Sequence, residues 1–553
     1  MQRTARFLAG IIAAAICVSA ASWSRLPVAA DDPQKAEEEI HRAPGATAAG
    51  SPAVADPNKS GRVQITVVDA VSDEPTHCRI NVVGADGNYY EPAENVLAAW
   101  SLHRLGNRIG KGPFRYYGWF FYSNGTCEVD VAPGKVRVEV WKGFEYAPLT
   151  ETTTVAAGET VAVKLAIQRV DDPSSRGWYS GDTHIHLDRR NDADDERCLD
   201  LAAAEDIRFA HILCMNDPRT YQPVMEQQIH HQMQGLGKKS ERQRGIYHIS
   251  SGQEYRANTF GHICLVGGSR LVEADGLKTD PNNWPPFGLL AEELHGIGGF
   301  AFHAHGGYGK EIYADVPLRA TDGVELLQFA EYRDVGLEGW YHILNAGYRF
   351  PAVGACDYPH CRELGDCRTY VHIKGEPSFE KWNRGAAEGR SYFTTGPLLE
   401  LTVNDRLPGD TLSLPAVKTM LRVKIRVQSP VAAVQEMRLI EGGEVKQRKE
   451  LPAQYREQPI VWQTELTVDS STWIAVQATA KSVQGREDVE AHTNPVYVKV
   501  GGSSPVRRAS VEWLLKKLDE RIAVNAARTF DDKERVLDYM AESRKALVEL
   551  LAQ

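Results

Sequence analysis

Two histidines two positions apart, His184 and His186, close the run Gly181-Asp182-Thr183-His184-Ile185-His186. The residues leading into them alternate as a β-strand does. Side chains at i and i+2 of a strand share a face. Both imidazoles can therefore enter one pocket at the strand's end, a geometry suited to a divalent metal ion. Glu254 and His262 follow, then His303 and His305, then Asp357, each near the end of a strand-like run. Neutral imidazoles and carboxylates hold Zn, Mn or Fe ions and leave a position open to water, whose pKa the ion lowers. The expected ligands are His184, His186, Glu254, His262, His305 and Asp357, with a carboxylate able to bridge two ions. Asp217 and His303 are the candidate general bases. His303 is expected to share a strand face with His305, where it would orient a ligand or touch substrate. Arg219, Arg256 and Tyr358 adjoin the ligand segments and are the candidate substrate contacts, arginine suiting a phosphate or carboxylate.

These residues need a scaffold that brings strand ends together. From about 175 to 397, strand-like runs alternate with helical ones. Helices are predicted over 195–207, over 284–297 with Gly298-Gly299 as its stop, and around 337–345. Strands are predicted over 300–305, 324–329 and 350–355. Repeated βα units imply a parallel sheet or barrel, in which chemistry collects at the C-terminal strand ends. On either side the pattern shortens to alternating strands, predicting β-sandwiches over 61–170 and 398–502. An aromatic insertion between strands of the first (Tyr116, Tyr117, Trp119, Phe120, Phe121, Tyr122) reads either as a carbohydrate platform or as packing against the next domain. Residues 504–553 carry two apolar helical stripes, one through Val511, Leu514, Leu515, Leu518 and Ile522 and one through Val536, Met540, Leu547 and Leu551, expected to form a hairpin packed on the body.

The chain has 553 residues, 42% of them apolar and 25% charged, and a formal charge of −10. That length calls for roughly two to four domains. The charge and the lack of a long basic stripe argue against nucleic acid as a partner. Arg3 and Arg6 before the apolar stretch 7–18, with small residues up to Ala30, predict a signal peptide over 1–30. Residues 31–60 read as a disordered tether. The expected location is periplasmic or secreted, with no stable membrane anchor after cleavage. Cys78 and Cys127 are then able to pair, and Cys356, Cys361 and Cys367 to form one local disulfide and leave one buried thiol.

Across residues 178–397 the chain resembles the CehA/McbA-type metallohydrolases of the polymerase-and-histidinol-phosphatase (PHP) superfamily. The matching pieces run in order: GDTHIHLD (181–188), SGQEYRANTFGHICLVG (251–267), GGFAFHAH (298–305), DGVELLQF (322–329), GYRFPAVGACDYPH (347–360) and RGAAEGRSYFTTGP (384–397). The resemblance implies a multidomain α/β plus β protein with a PHP-like distorted β/α barrel, flanked by the two β-sandwiches and the helical hairpin. It implies His184 and His186 as the opening ligand pair, Glu254 as a bridging carboxylate, His262 and His305 as further ligands and Asp357 as the late aspartate. Two stretches depart from the family pattern. The family's Asp-His pair corresponds to 212–217, where Asp217 stands without the histidine. Its late Asp-x-His is here Asp357 with His360 three residues on. The expected cofactor is therefore one to three divalent ions. The expected function is an exported hydrolase that uses metal-activated water on an ester, amide or phosphoester, in a small-molecule or glycan-derived substrate. The alternative is a non-catalytic carbohydrate- or surface-binding protein with a degenerate metal site. A serine hydrolase is disfavoured, since no GxSxG elbow is present.

Overall fold

The computed structural model describes residues 53–94, 97, 120–215, 237–257, 260–272, 286–328, 331–359, 363–451, 458–480, 489–503, 505–530 and 532–552. The expected signal peptide and the tether up to residue 52 lie outside the described residues. So do Asp217, Arg219, His360, Cys361, Tyr116, Tyr117 and Trp119. Within the described residues the chain is mixed α/β, mostly strand, with seven α-helices and one large curled sheet. No described helix is long and apolar enough to cross a membrane.

The curled sheet gathers the candidate residues. Strand Trp178–Ile185 pairs parallel with Phe209–Met215, which pairs parallel with Tyr247–Ala257 in a register that sets Met215 opposite Glu254. The sheet then turns antiparallel into Gly261–Val266, with Arg256 opposite His262, and on to Phe300–His303, with Ile263 opposite His303. Gly323–Gln328 pairs parallel with Phe300–His303 and with Ala352–Ala355. Arg368–His372 brings the sheet back to its first strand, with Thr369 opposite Gly181. The strand sequences explain this. The run from Phe209 to Cys214 is buried throughout, as a strand covered on both faces must be.

Helix Phe287–Gly296 buries Leu290 and Leu294, two of the three leucines whose spacing predicted it, together with Phe287 and Ala291, while Leu289 stays half-buried. It stops where Gly298 takes φ +87° and a Cβ on Gly299 would meet Leu294 at 2.4 Å. The helix expected over 195–207 spans Asp192–Ala204. Asn191 caps it, accepting from the Asp194 amide, and that cap fixes the earlier start. The strand expected over 300–305 ends at His303, because His305 adopts φ +53° and breaks the alternation.

Ahead of the curled sheet, two small sheets share a core that includes Val63, Ile65, Ile80, Val82, Val129, Val136 and Leu165. Of the aromatic insertion, Phe120, Phe121 and Tyr122 are buried, as packing requires. Cys78 lies opposite Ser123 in one of these sheets and Cys127 opposite Ile65 in the other. Both thiols are free, as is Cys356, so the expected Cys78–Cys127 pairing is not formed; Cys361, needed for one form of the local disulfide, lies outside the described residues. After residue 397 the hydrogen bonding does not stop. Ser391–Thr394 pairs antiparallel with Val489–Thr493, and the curled sheet runs on into the C-terminal strands.

Helices Arg508–Ala527 and Lys533–Ala552 pack on the body. Trp513 stacks on His342 at 4.5 Å, and the Tyr539 hydroxyl donates to Asp315 at 2.6 Å. Beneath this contact, Glu311 and Asp315 accept from the successive amides of Phe287 and Gly288. The second Glu311 oxygen is buried with no hydrogen-bond partner, and the second Asp315 oxygen faces His303 Nε2 at 3.1 Å. His303, Arg521 and Tyr539 are further ionisable groups at this cluster, with Glu292 facing Tyr539. Burial, then the neighbouring Asp315 carboxylate, raises the Glu311 pKa well above its ordinary value. A carboxyl raised in the folded state contributes stability that is complete below its unfolded pKa of ~4.3. That contribution is lost as pH rises through the folded value. Glu311→Gln, which cannot ionise, should therefore gain stability relative to wild type as pH rises above the ordinary carboxyl range. Unfolding midpoints from mildly acidic to alkaline pH check this; parallel curves would contradict it.

Candidate metal centre

The first strand is built to carry its histidines inward. A Cβ on Gly181 would meet the Trp382 ring at 2.4 Å, so glycine lets that indole seal the strand's outer side. His184 and His186 are buried, with ring centroids 5.0 Å apart. The His186 amide donates to the Tyr358 carbonyl at 2.6 Å, which extends the strand and ties it to the segment of Asp357. Asp182 makes the same link, accepting from the amides of His184 and Cys356 at 3.0 and 3.3 Å.

The hydrogen bonds fix both tautomers. His186 Nδ1 lies 3.0 Å from the Leu213 carbonyl, which can only accept, so Nδ1 carries the proton. His184 Nδ1 lies 2.8 Å from the Glu325 carboxylate, which requires the same tautomer. In the neutral rings both Nε2 atoms are then bare lone pairs, and they face each other at 3.1 Å. Two acceptors do not approach so closely in a buried site unless a proton or a cation lies between them.

Carboxylates complete the group. Asp357 Oδ1 is 3.3 Å from His184 Nε2 and 3.4 Å from His186 Nε2. Glu254 Oε2 is 3.3 Å from His186 Nε2, and Glu254 Oε1 is 3.6 Å from His184 Nε2. Ligands ~2.1 Å from a tetrahedral Zn ion stand ~3.4 Å from one another. The donor set thus fits a first-row divalent ion in both chemistry and spacing. Asp357 reaches this place from a left-handed backbone, φ +54°, a conformation aspartate tolerates better than most residues.

Glu254 also faces a second group. Its Oε1 lies 2.9 Å from His262 Nδ1 and 3.5 Å from His305 Nε2. His305 Nδ1 donates to the Gln328 side-chain oxygen at 2.7 Å, leaving Nε2 as an acceptor 2.9 Å from His262 Nδ1. Arg256 Nε sits 3.5 Å from His262 Nε2 and 3.9 Å from Glu254 Oε2. His262, His305 and Arg256 retain 14%, 12% and 24% side-chain exposure, whereas His184 is sealed, so the cluster opens to solvent on this side.

The electrostatics favour positive charge at the first group. Burial opposes a proton on His184, but Cys264, Asp357, Glu325 and Glu254 outweigh it and hold the pKa well above the ordinary value. Burial likewise works against charge on Glu254 and Asp357. Arg256, His262 and His184 hold Glu254 well below the usual carboxylate range, and the three histidines 184, 186 and 305 do the same for Asp357. At the second group, burial and then the Arg256 guanidinium push His262 down to about 4.

All six expected ligands are therefore brought together, with Arg256 beside them. Among the described residues, the buried groups of donor atoms that could hold a metal ion are His184–His186–Asp357, His184–Glu254–His305 and His184–Cys264–Glu325. The third uses His184 Nδ1, the edge Glu325 already occupies, and so orients the ring. His303 is not among them. Its Nε2 faces Asp315 Oδ2 at 3.1 Å, between the rings of Phe287 and Phe350. The break at His305 sends these two histidines to different sides. The Tyr358 ring is fully buried with its hydroxyl unpartnered, and only its backbone serves the cluster. Asp217 and Arg219 lie outside the described residues. Glu325, Gln328 and Cys264 are additions to the expected set. Glu325 had a readable signal, a carboxylate inside the strand-like run Val324–Leu327, which burial makes costly without a partner. Comparison with protein-family models, with curated proteins and with solved structures finds no match for the chain.

Proposed function

We propose that this chain is an exported, metal-dependent hydrolase of esters, amides or phosphoesters, built on a PHP-like distorted β/α barrel with β-sandwiches before and after it. The observation that carries the metal assignment is the pair of histidine Nε2 lone pairs facing at 3.1 Å inside a ring of carboxylate oxygens. His184, His186, Asp357 and Glu254 would hold the first divalent ion, Zn, Mn or Fe. When bound, such an ion supplies Lewis-acid polarisation and a water of lowered pKa. The chain's own residues do the rest. Glu325 and the Leu213 carbonyl keep both imidazoles in the tautomer that offers Nε2. Asp182 and the Tyr358 carbonyl hold the Asp357 segment against the histidine strand. Arg256, on the open side, would orient an anionic substrate group. Asp217 remains the candidate base. His303, buried against Asp315, receives no proton-transfer role. The second group is partly satisfied without a cation, since His262 and His305 can hydrogen-bond each other, which supports the first group as the primary site.

Metal-stripped protein resupplied with Zn, Mn or Fe and offered aryl esters and chromogenic phosphoesters tests this reading. Turnover that returns with metal and vanishes with chelator is expected. Stoichiometric metal without turnover on a broad panel would favour a binding protein, and failure to bind metal would end the proposal.

A further inference from the structure

Behind the two donor groups runs a hydrogen-bond chain on a single strand. Glu325 and Gln328, both fully buried, lie on Gly323–Gln328. Residues three apart on a regular strand face opposite sides. Here the ladder to Ala352–Ala355 slips between Glu325 and Leu327, which lie opposite the consecutive residues Val353 and Gly354. The extra residue is a bulge, the device that re-aims a side chain beside a site, and it turns Glu325 and Gln328 to the same side. Glu325 accepts from Thr183 Oγ1 at 2.6 Å and from His184 Nδ1 at 2.8 Å. Gln328 Nε2 donates to Glu325 at 3.3 Å, and Gln328 Oε1 accepts from His305 Nδ1 at 2.7 Å. One unbroken path thus joins His184 of the first group to His305 of the second.

We propose that Glu325 and Gln328 are positioning residues that couple the two groups, so that a divalent ion at His184–His186–Asp357 raises the affinity of Glu254–His262–His305 for a second. This rests on the metal reading above. An ion held by His184 fixes that ring and, through Glu325 and Gln328, the ring of His305. Ordering already imposed by the first ion need not be imposed again by the second, which is positive coupling without a change of fold. Glu254, whose two oxygens face the two groups, shares the load, but its removal would destroy both sites and cannot isolate the coupling. Gln328 can be changed without removing a ligand.

The test is titration of the metal-stripped chain with Co²⁺, followed by visible absorption and calorimetry. Wild type should take two ions, the second enhanced by a coupling of roughly 5- to 150-fold. Gln328→Leu should keep first-site affinity and its absorption band within a few-fold, and lose the enhancement. Glu325→Gln should lower first-site affinity by roughly 10- to 100-fold. Thr183→Val, which loosens Glu325 and leaves Gln328 intact, should weaken the coupling in the same direction and serves if Gln328→Leu does not fold. Two ions with the same enhancement in wild type and Gln328→Leu would overturn the coupling. A single ion in wild type would also overturn it and leave the first site standing. No ion at all would instead overturn the metal reading.

Discussion

His184→Ala is expected to abolish the divalent-metal binding and, with it, the hydrolysis proposed above. His184 contributes to each of the three buried donor groups. Its Nε2 faces His186, Glu254 and Asp357, and its Nδ1 satisfies Glu325. Truncation deletes a ligand and also leaves Glu325, buried in the sheet, with Thr183 and Gln328 as its remaining partners. Breaking a buried charged pair by removing one partner costs about 3–5 kcal/mol, so a fall in stability should accompany the loss of metal. His303→Ala separates the two effects. His303 faces Asp315, and its loss should disturb packing while metal content stays at the wild-type level. Elemental analysis of both variants beside wild type, with unfolding midpoints, reads the outcome. Full metal and full activity in His184→Ala would refute the ligand assignment.

Gly261→Ala is expected to have the largest purely steric effect. Gly261 has φ +91°, and a Cβ there would lie 1.7 Å from the Tyr308 carbonyl oxygen and 2.6 Å from its carbon. Across the same contact, a Cβ on Gly309 would meet the Gly261 nitrogen at 2.5 Å. Two backbones meet here with no flexible side chain to yield, so one of them must move. The strain and the forced shift together should cost on the order of 4 kcal/mol, at the upper end of single substitutions. The damage is not neutral for the site. Gly261 adjoins His262, and the segment of Tyr308 follows directly from His305, so the second donor group should be lost before the first. Gly296→Ala is the control. Apart from its chain neighbours and its own helix backbone, nothing lies within 4 Å of its Cβ position, and at this last helical residue alanine should gain up to roughly 0.5 kcal/mol over glycine. Denaturant midpoints of the two variants should therefore move in opposite directions.

The parts of the site that follow strand periodicity were legible in the sequence. His184 and His186 share a face because i and i+2 must, and helix Phe287–Gly296 carries its apolar stripe in plain view. What departs from the period was not legible. His303 and His305 look like a second pair of the same kind, yet a left-handed residue at His305 separates them, and nothing in the local sequence forces that turn. Glu325 and Gln328 have the wrong spacing to meet, and only a bulge brings them together. The cysteines suggested disulfides because their count invites pairing. Register, which sequence does not display, puts Cys78 and Cys127 on different sheets. Tyr358 adjoins a ligand, as expected, but adjacency in the chain fixes where a backbone goes and not where a ring points.

The central claim is that His184 and His186 turn their Nε2 atoms toward a cation held with Asp357 and Glu254. Metal titration of the stripped wild-type chain, followed by its unfolding temperature, addresses this most directly. The account predicts that Zn²⁺ or Mn²⁺ binds stoichiometrically at neutral pH and raises the midpoint, since a ligand of the native state alone must stabilise it. A midpoint unmoved by saturating Zn²⁺, Mn²⁺ or Fe²⁺, with only trace metal retained, would contradict it.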